Sequence, residues 1–326
     1  MAGEEGPESE LYLQEIDPTP VDDYFSGSEA TDRPANPPHK SVPSSSALGL
    51  SGHSWERWLI SIRQYSTYPP AVFIGLHFAN TSLIPLATRS VADSETFLLL
   101  TRPIYQAPSL ESILVYLPIL AHVASGVALR LIRGSRRARL FGAETRADRK
   151  SLKSSQPAST QARLGYVLMP LLGAHILVNR LTPLYVEGGS SGIGLGYVAH
   201  GFARFPWIMS LGYAAFVGVG VWHFVGGWAW WCGWREVLVS RPADEKKAGA
   251  NGGYLGSPAG AELYKRKQRR KWIVNGLSIV GTALWLAGGI GVIGQGGLGS
   301  GWEAKNWDLL YRQVPLFGRL LALESP

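Results

Sequence analysis

Five long apolar stretches dominate the chain, at roughly residues 65–87, 110–132, 164–184, 206–234 and 272–293. A bilayer core needs about 20 apolar residues per helix, and each stretch supplies them. Internal prolines such as Pro118 and Pro170 are compatible with this, because neighbouring helices can satisfy the backbone groups they free. The pattern predicts an all-α membrane protein with five transmembrane helices. Just ahead of the first stretch, Trp55, Trp58, Leu59 and Ile62 fall at helical spacing beside Arg57 and Arg63, which predicts a short interfacial helix. Residues 1–54 are rich in Pro, Ser, Gly and acids, without a lasting apolar period, and are expected to be a disordered tail. The expected organisation is therefore a tail at 1–54, a five-span domain at 55–295 and a C-terminal tail at 296–326.

The spans contain an internal repeat. Gly75-x-His77 is followed by Pro85, and Gly173-x-His175 by Pro183, with eight residues from histidine to proline both times. His122-x-x-x-Gly126 is matched by His223-x-x-x-Gly227. Matching positions lie about a hundred residues apart, so the first four spans read as a duplicated two-helix hairpin.

Charge adds an orientation. The net charge is +7, yet ten of the 24 acids lie in the first 32 residues. Twenty of the 31 Lys and Arg lie in two segments, 130–163 and 235–271. The loops at 89–108 and 185–205 are nearly free of basic residues. The positive-inside rule makes the basic side cytosolic, with the N-terminal tail on that side and the C-terminus on the other. Trp228, Trp230, Trp231, Trp234 and Trp272 gather at the basic ends of spans four and five, as expected for headgroup-level aromatics.

Composition also excludes. The one cysteine, Cys232, rules out an internal disulfide, and without a CxxCH motif there is no covalent haem attachment. The acidic N-terminal stretch is expected to be neither a signal peptide nor an Arg-rich presequence. The basic segments are read as topology determinants that touch anionic membrane lipid. No aromatic–basic platform or zinc spacing accompanies them, so nucleic acid is not an expected partner. Gly188, Gly189, Gly192, Gly194 and Gly196 follow no strand and are read as a flexible loop, not a dinucleotide site. His200 is expected at the interface, just before span four. No nucleophile–base or carboxylate pair stands out in the spans, so a hydrolase is not expected.

The acidic tail holds Leu13-Gln-Glu-Ile16-Asp-Pro18-Thr-Pro20. Two prolines keep such a segment extended at low entropic cost, with Leu13 and Ile16 as apolar anchors. That shape suits docking on a groove or sheet edge. The residues alone leave open a chance Pro-x-Pro in a proline-rich tail. Across residues 10–25 and 60–295, however, the chain resembles the fungal mitochondrial outer-membrane adapter proteins of the MCP-one family. The resemblance implies a non-enzymatic multi-pass protein of the outer membrane that supports contact sites and lipid homeostasis. It also implies recruitment of a bridge-like lipid-transfer protein of the VPS-thirteen family through the tail motif, whose positions Leu13, Ile16, Pro18 and Pro20 fill in order.

One histidine stands near the middle of each of the first four spans: His77, His122, His175 and His223. Ionisable groups at this depth usually face a bundle interior. Three readings stay open. Two imidazoles on facing helices can ligate one b-type haem, making the alternative function that of a redox membrane protein. Spans two and four resemble the membrane-anchor cytochromes of succinate dehydrogenase in this respect, although Val127 and Ala128 stand where that family places an Arg and its ligand. A polar track for lipid headgroups is the second reading, with His77, Asn80, Thr81, Ser82, His175, Asn179 and Arg180 along it, and would allow lipid scrambling. The third is interhelical hydrogen bonding alone.

Overall fold

A computed structural model describes residues 52–107, 109–155, 158–234, 258–315 and 318. It contains helices α1 (Gly52–Tyr65), α2 (Tyr68–Phe78), α3 (Ile84–Thr88), α4 (Val91–Gln106), α5 (Leu117–Leu140), α6 (Arg146–Ser155), α7 (Thr160–Ile176), α8 (Thr182–Glu187), α9 (Leu195–Arg204), α10 (Pro206–Trp231), α11 (Pro258–Gly289) and α12 (Gly301–Gln313). No strand occurs among the described residues. Five continuous helical segments are long and apolar enough to cross a bilayer: Trp55–Thr88, Ser112–Leu140, Thr160–Glu187, Pro206–Trp231 and Tyr264–Gln295. These are spans one to five.

The apolar side chains point outward. At most 22% of any span's most apolar window is buried, and Leu131, Leu211, Trp272 and Ile279 are exposed. Such a surface would be an aggregation liability in water and is the expected surface in lipid. Hydrocarbon also dictates that each span close its own backbone hydrogen bonds. Pro170 sits inside α7 without a π turn, whereas three other prolines meet that rule in a shared way. Single π-helical turns occupy Ala79–Leu83, Ser112–Tyr116 and Leu177–Leu181. Each ends two residues before a proline: Pro85, Pro118 and Pro183. A proline ring clashes with the carbonyl four residues back and offers no N–H to it. Widening the helix by one residue relieves that clash while its neighbours stay bonded.

Spans one and two pack as one hairpin and spans three and four as another; span five lies between spans one and four. Close approach there depends on small residues. A Cβ on Gly288 would overlap the backbone of Ser82, and one on Gly281 would stand 3.3 Å from Val221 Cγ1. Ser82 Oγ donates to the Leu284 carbonyl at 2.8 Å, and Trp285 Nε1 to Thr81 Oγ1 at 3.0 Å. Helix α1 exists as expected but is more than an interfacial lead-in. It packs lengthwise on α5, with Glu56 paired to Arg133 and Arg136.

The face opposite the basic loops is covered by a folded cap. The segments expected as loops contain α4 and α9, and α12 folds against α8 and α9. Its core holds Tyr197, Phe202, Phe205, Trp307, Leu310 and Tyr311. The Tyr197 and Tyr311 rings stack at 4.6 Å, and the Tyr311 hydroxyl donates to the Tyr197 carbonyl at 3.1 Å. Burial raises the pKa of both phenols, so both stay neutral donors. His200, expected at the interface just before span four, is built into this cap. It is 2% exposed, its Nε2 lies 3.1 Å from Asp308, and its Nδ1 accepts from the Gly299 N–H at 3.1 Å.

Leu310 is fully buried at the centre of this cap. Leu310→Ala should cost about 2–4 kcal/mol, the usual penalty for a core leucine. Thermal unfolding in detergent would register it as a lower midpoint. An unchanged midpoint would mean that α12 is not part of the cooperative fold.

Candidate functional site

The two hairpins, with span five and the cap, line a half-open cavity of about 2140 Å³, and all four span histidines border it. The histidines meet in two pairs. The ring centres of His77 and His175 are 6.0 Å apart, and those of His122 and His223 are 6.3 Å apart. Each pair joins matching positions of the sequence repeat. Equivalent groups of two similar units approach each other where a two-fold axis passes between them. Spans one and three run in the same direction, so the axis lies along the bundle, as in parallel repeats. The four histidines stand on it in two layers. Phe216 stacks on His175 at 4.8 Å and precedes His223 in the same helix by a rise of roughly 10 Å.

The layers differ in chemistry. In the first, His77 stacks on Phe73 at 5.3 Å and meets Trp285 edge-on. His175 Nδ1 faces the Asn179 amide nitrogen at 3.3 Å, a group that can only donate. Asn179 also donates to the His175 carbonyl and to the Tyr213 hydroxyl. In the second layer, His122 Nδ1 lies 3.0 Å from the Arg63 carbonyl, a group that can only accept. His223 Nδ1 lies 3.2 Å from the Gln161 carbonyl and 3.3 Å from its side-chain nitrogen, which itself donates to the His223 carbonyl. Arg63 and Arg130 line the cavity on this side, over the rings of Trp231 and Tyr166 respectively.

The polar residues on spans one and three are largely engaged. Asn80 is buried and donates to the Leu76 carbonyl and to Thr101, and Thr81 donates to the His77 carbonyl. At the cap end, the Arg180 guanidinium grips both carboxylate oxygens of Glu111 and also donates to Ser190. Arg102 ties the same loop, donating to the carbonyls of Ser190 at 2.6 Å and Ile193 at 3.0 Å. Burial lowers the Arg102 pKa, the largest influence on it. The glycine-rich segment read as a flexible loop is therefore pinned by two arginines. Sequence reasoning missed Glu111 and Arg102. Glu111 could have been found by matching depth, since it and Arg180 are opposite charges at the same end of neighbouring spans.

Among the described residues, no group of three or more His, Cys, Asp or Glu could hold a metal ion. Leu13, Ile16, Pro18 and Pro20 lie outside the described residues.

Residues 170–298 match the family model described as MDM10-complementing protein 1, transmembrane domain. The mitochondrial adapter protein MCP1 of Saccharomyces cerevisiae is 25% identical over 197 residues, which is 53% of this chain and 64% of that protein. The match thus spans less than two thirds of the relative's length. No solved structure matches.

The Arg180–Glu111 pair is mostly buried, with side chains 19% and 17% exposed. Arg180→Leu strands a carboxylate and should cost about 3–5 kcal/mol. The double variant Arg180→Leu, Glu111→Leu should recover most of that loss in detergent unfolding. If the single and double variants unfold alike, the two charges are not coupled.

Proposed function

We propose that this member of the MDM10-complementing protein 1 family is a mitochondrial membrane adapter, anchored by its bundle and holding its partner through the N-terminal tail. The observation that carries the reading is the matched transmembrane domain, together with what the yeast relative is named for. The membrane is the mitochondrial outer membrane. Its basic loops and the tail face the cytosol, following the charge asymmetry of the connectors. The C-terminal helix then lies in the intermembrane space.

The partner is a bridge-like lipid-transfer protein of the VPS-thirteen family. It docks on Leu13, Ile16, Pro18 and Pro20, which together present two apolar anchors and a pre-extended backbone. Ordering the tail on binding costs free energy, so the affinity is modest and the contact reversible. Tail capture is a binding event and needs no chemistry. The double variant Pro18→Ala, Pro20→Ala should lose recruitment of the partner to mitochondria while inserting into the membrane normally. Undiminished pull-down of the partner by that variant would overturn the motif assignment.

The cavity between the hairpins favours a second role beside the first. Lipid delivered to one leaflet unbalances the bilayer, and a polar-lined passage between hairpins lowers the barrier for a headgroup to cross. His77, Asn179 and Arg180 supply polar groups along the cavity wall. Liposomes holding the purified chain should scramble a labelled phospholipid faster than empty liposomes; equal rates would remove this role.

A further inference from the structure

We propose that His122 and His223 are the axial ligands of one b-type haem, held on the pseudo-two-fold axis nearer the basic face of the bundle. The adapter reading neither requires nor uses this site. Three observations converge on it.

The first is spacing. An iron bonded to two imidazole nitrogens at about 2 Å each leaves the ring centres roughly 6 Å apart, and these rings stand at 6.3 Å. They come from different hairpins, so an atom between them is approached from opposite sides. No third metal-ligating side chain joins them among the described residues. A bare zinc would want four ligands. An iron porphyrin brings four nitrogens of its own and asks the protein for two axial ones.

The second is tautomer. Ligation needs a neutral imidazole with one nitrogen bare, and the partner of the other nitrogen decides which. The Arg63 carbonyl holds the proton of His122 on Nδ1. His223 Nδ1 has both the Gln161 carbonyl at 3.2 Å and the Gln161 amide nitrogen at 3.3 Å beside it, and in the proposed site it donates to the carbonyl. That leaves both Nε2 atoms as donors to a metal. The other layer differs. His175 Nδ1 faces an amide donor, so its proton sits on Nε2, and its ring is stacked on Phe216. The geometry thus selects one pair of the two.

The third is room and charge. Gly126 and Gly227 follow their histidines by one helical turn, on the same face; a Cβ at Gly227 would stand 3.4 Å from Gln161 Nε2, so the open side is the one at Gly126. A Cβ at Gly126 would find only the Arg63 side chain, at 3.9 Å. Both rings line the cavity, about 2140 Å³, that runs from the basic end of the bundle to the cap. Arg63 and Arg130 line it on the basic side, suited to the two propionate groups of haem b.

The test is spectroscopic, on the full chain expressed with a haem precursor, purified in detergent and supplemented with haemin. The expected result is a Soret band, a sharp visible band on dithionite reduction, and one haem per chain by pyridine haemochrome assay. His122→Ala and His223→Ala should each lose bound haem at least about tenfold, while His77→Ala and His175→Ala keep it. His122→Met should retain haem with a shifted reduced band, which a merely structural histidine would not produce. It also decides the matter should the alanine variants fail to fold. Folded wild-type chain that takes up no haem overturns the proposal. So do two haems per chain, retention by the His122 and His223 variants, or an unshifted band in His122→Met.

Discussion

A polypeptide in hydrocarbon has no solvent to complete its hydrogen bonds, and much of this architecture follows from that constraint. Pro85, Pro118 and Pro183 would each orphan a carbonyl, and each of these three is answered by a π turn at the same offset. Polar side chains obey the same demand. Ser82 and Thr81 bond to span five, Asn80 to α4, and Asn179 to span four. The Arg180–Glu111 ion pair at the cap end uses both oxygens of Glu111 and a third donor of Arg180. Along the bundle axis stand the four imidazoles, and they line the cavity.

Duplication explains why they are there. A two-helix unit that carries a histidine on the inner face of each helix, once doubled and associated with its copy, brings like against like at the axis. Span five and the cap then break the equality of the two halves. Span five fills the groove between spans one and four, and the cap ties α4, α9 and α12 together over one end. The histidine layers inherit that inequality. One ends in aromatic stacking and an amide, the other in backbone carbonyls and arginines.

Much of this was legible in the chain. Five spans show because lipid demands long apolar runs, and the repeat shows because glycine, histidine and proline recur at fixed spacing. The cap was not legible. Its helices are short, and their apolar residues are mixed with Glu95, Arg102, Arg204 and Asp308, so they resemble polar loops until packed. The burial of His200 was not legible either, because chain position says nothing about Asp308, which lies over a hundred residues away. Span one also began earlier than hydropathy suggested, since α1 lies against α5 through Glu56 and two arginines. The pairing of histidines required knowing which helices face each other. Which nitrogen of each ring is protonated required the backbone carbonyls, which no sequence pattern displays.

A side chain on a rotation axis has its own counterpart for a neighbour. At such a place, drift in one half cannot be absorbed locally, because the partner that must adjust is encoded about a hundred codons away. The two halves of the gene are therefore bound together at these few positions and free to diverge elsewhere. Span five and α12, which lie outside the duplicated unit, have no such counterpart to answer to.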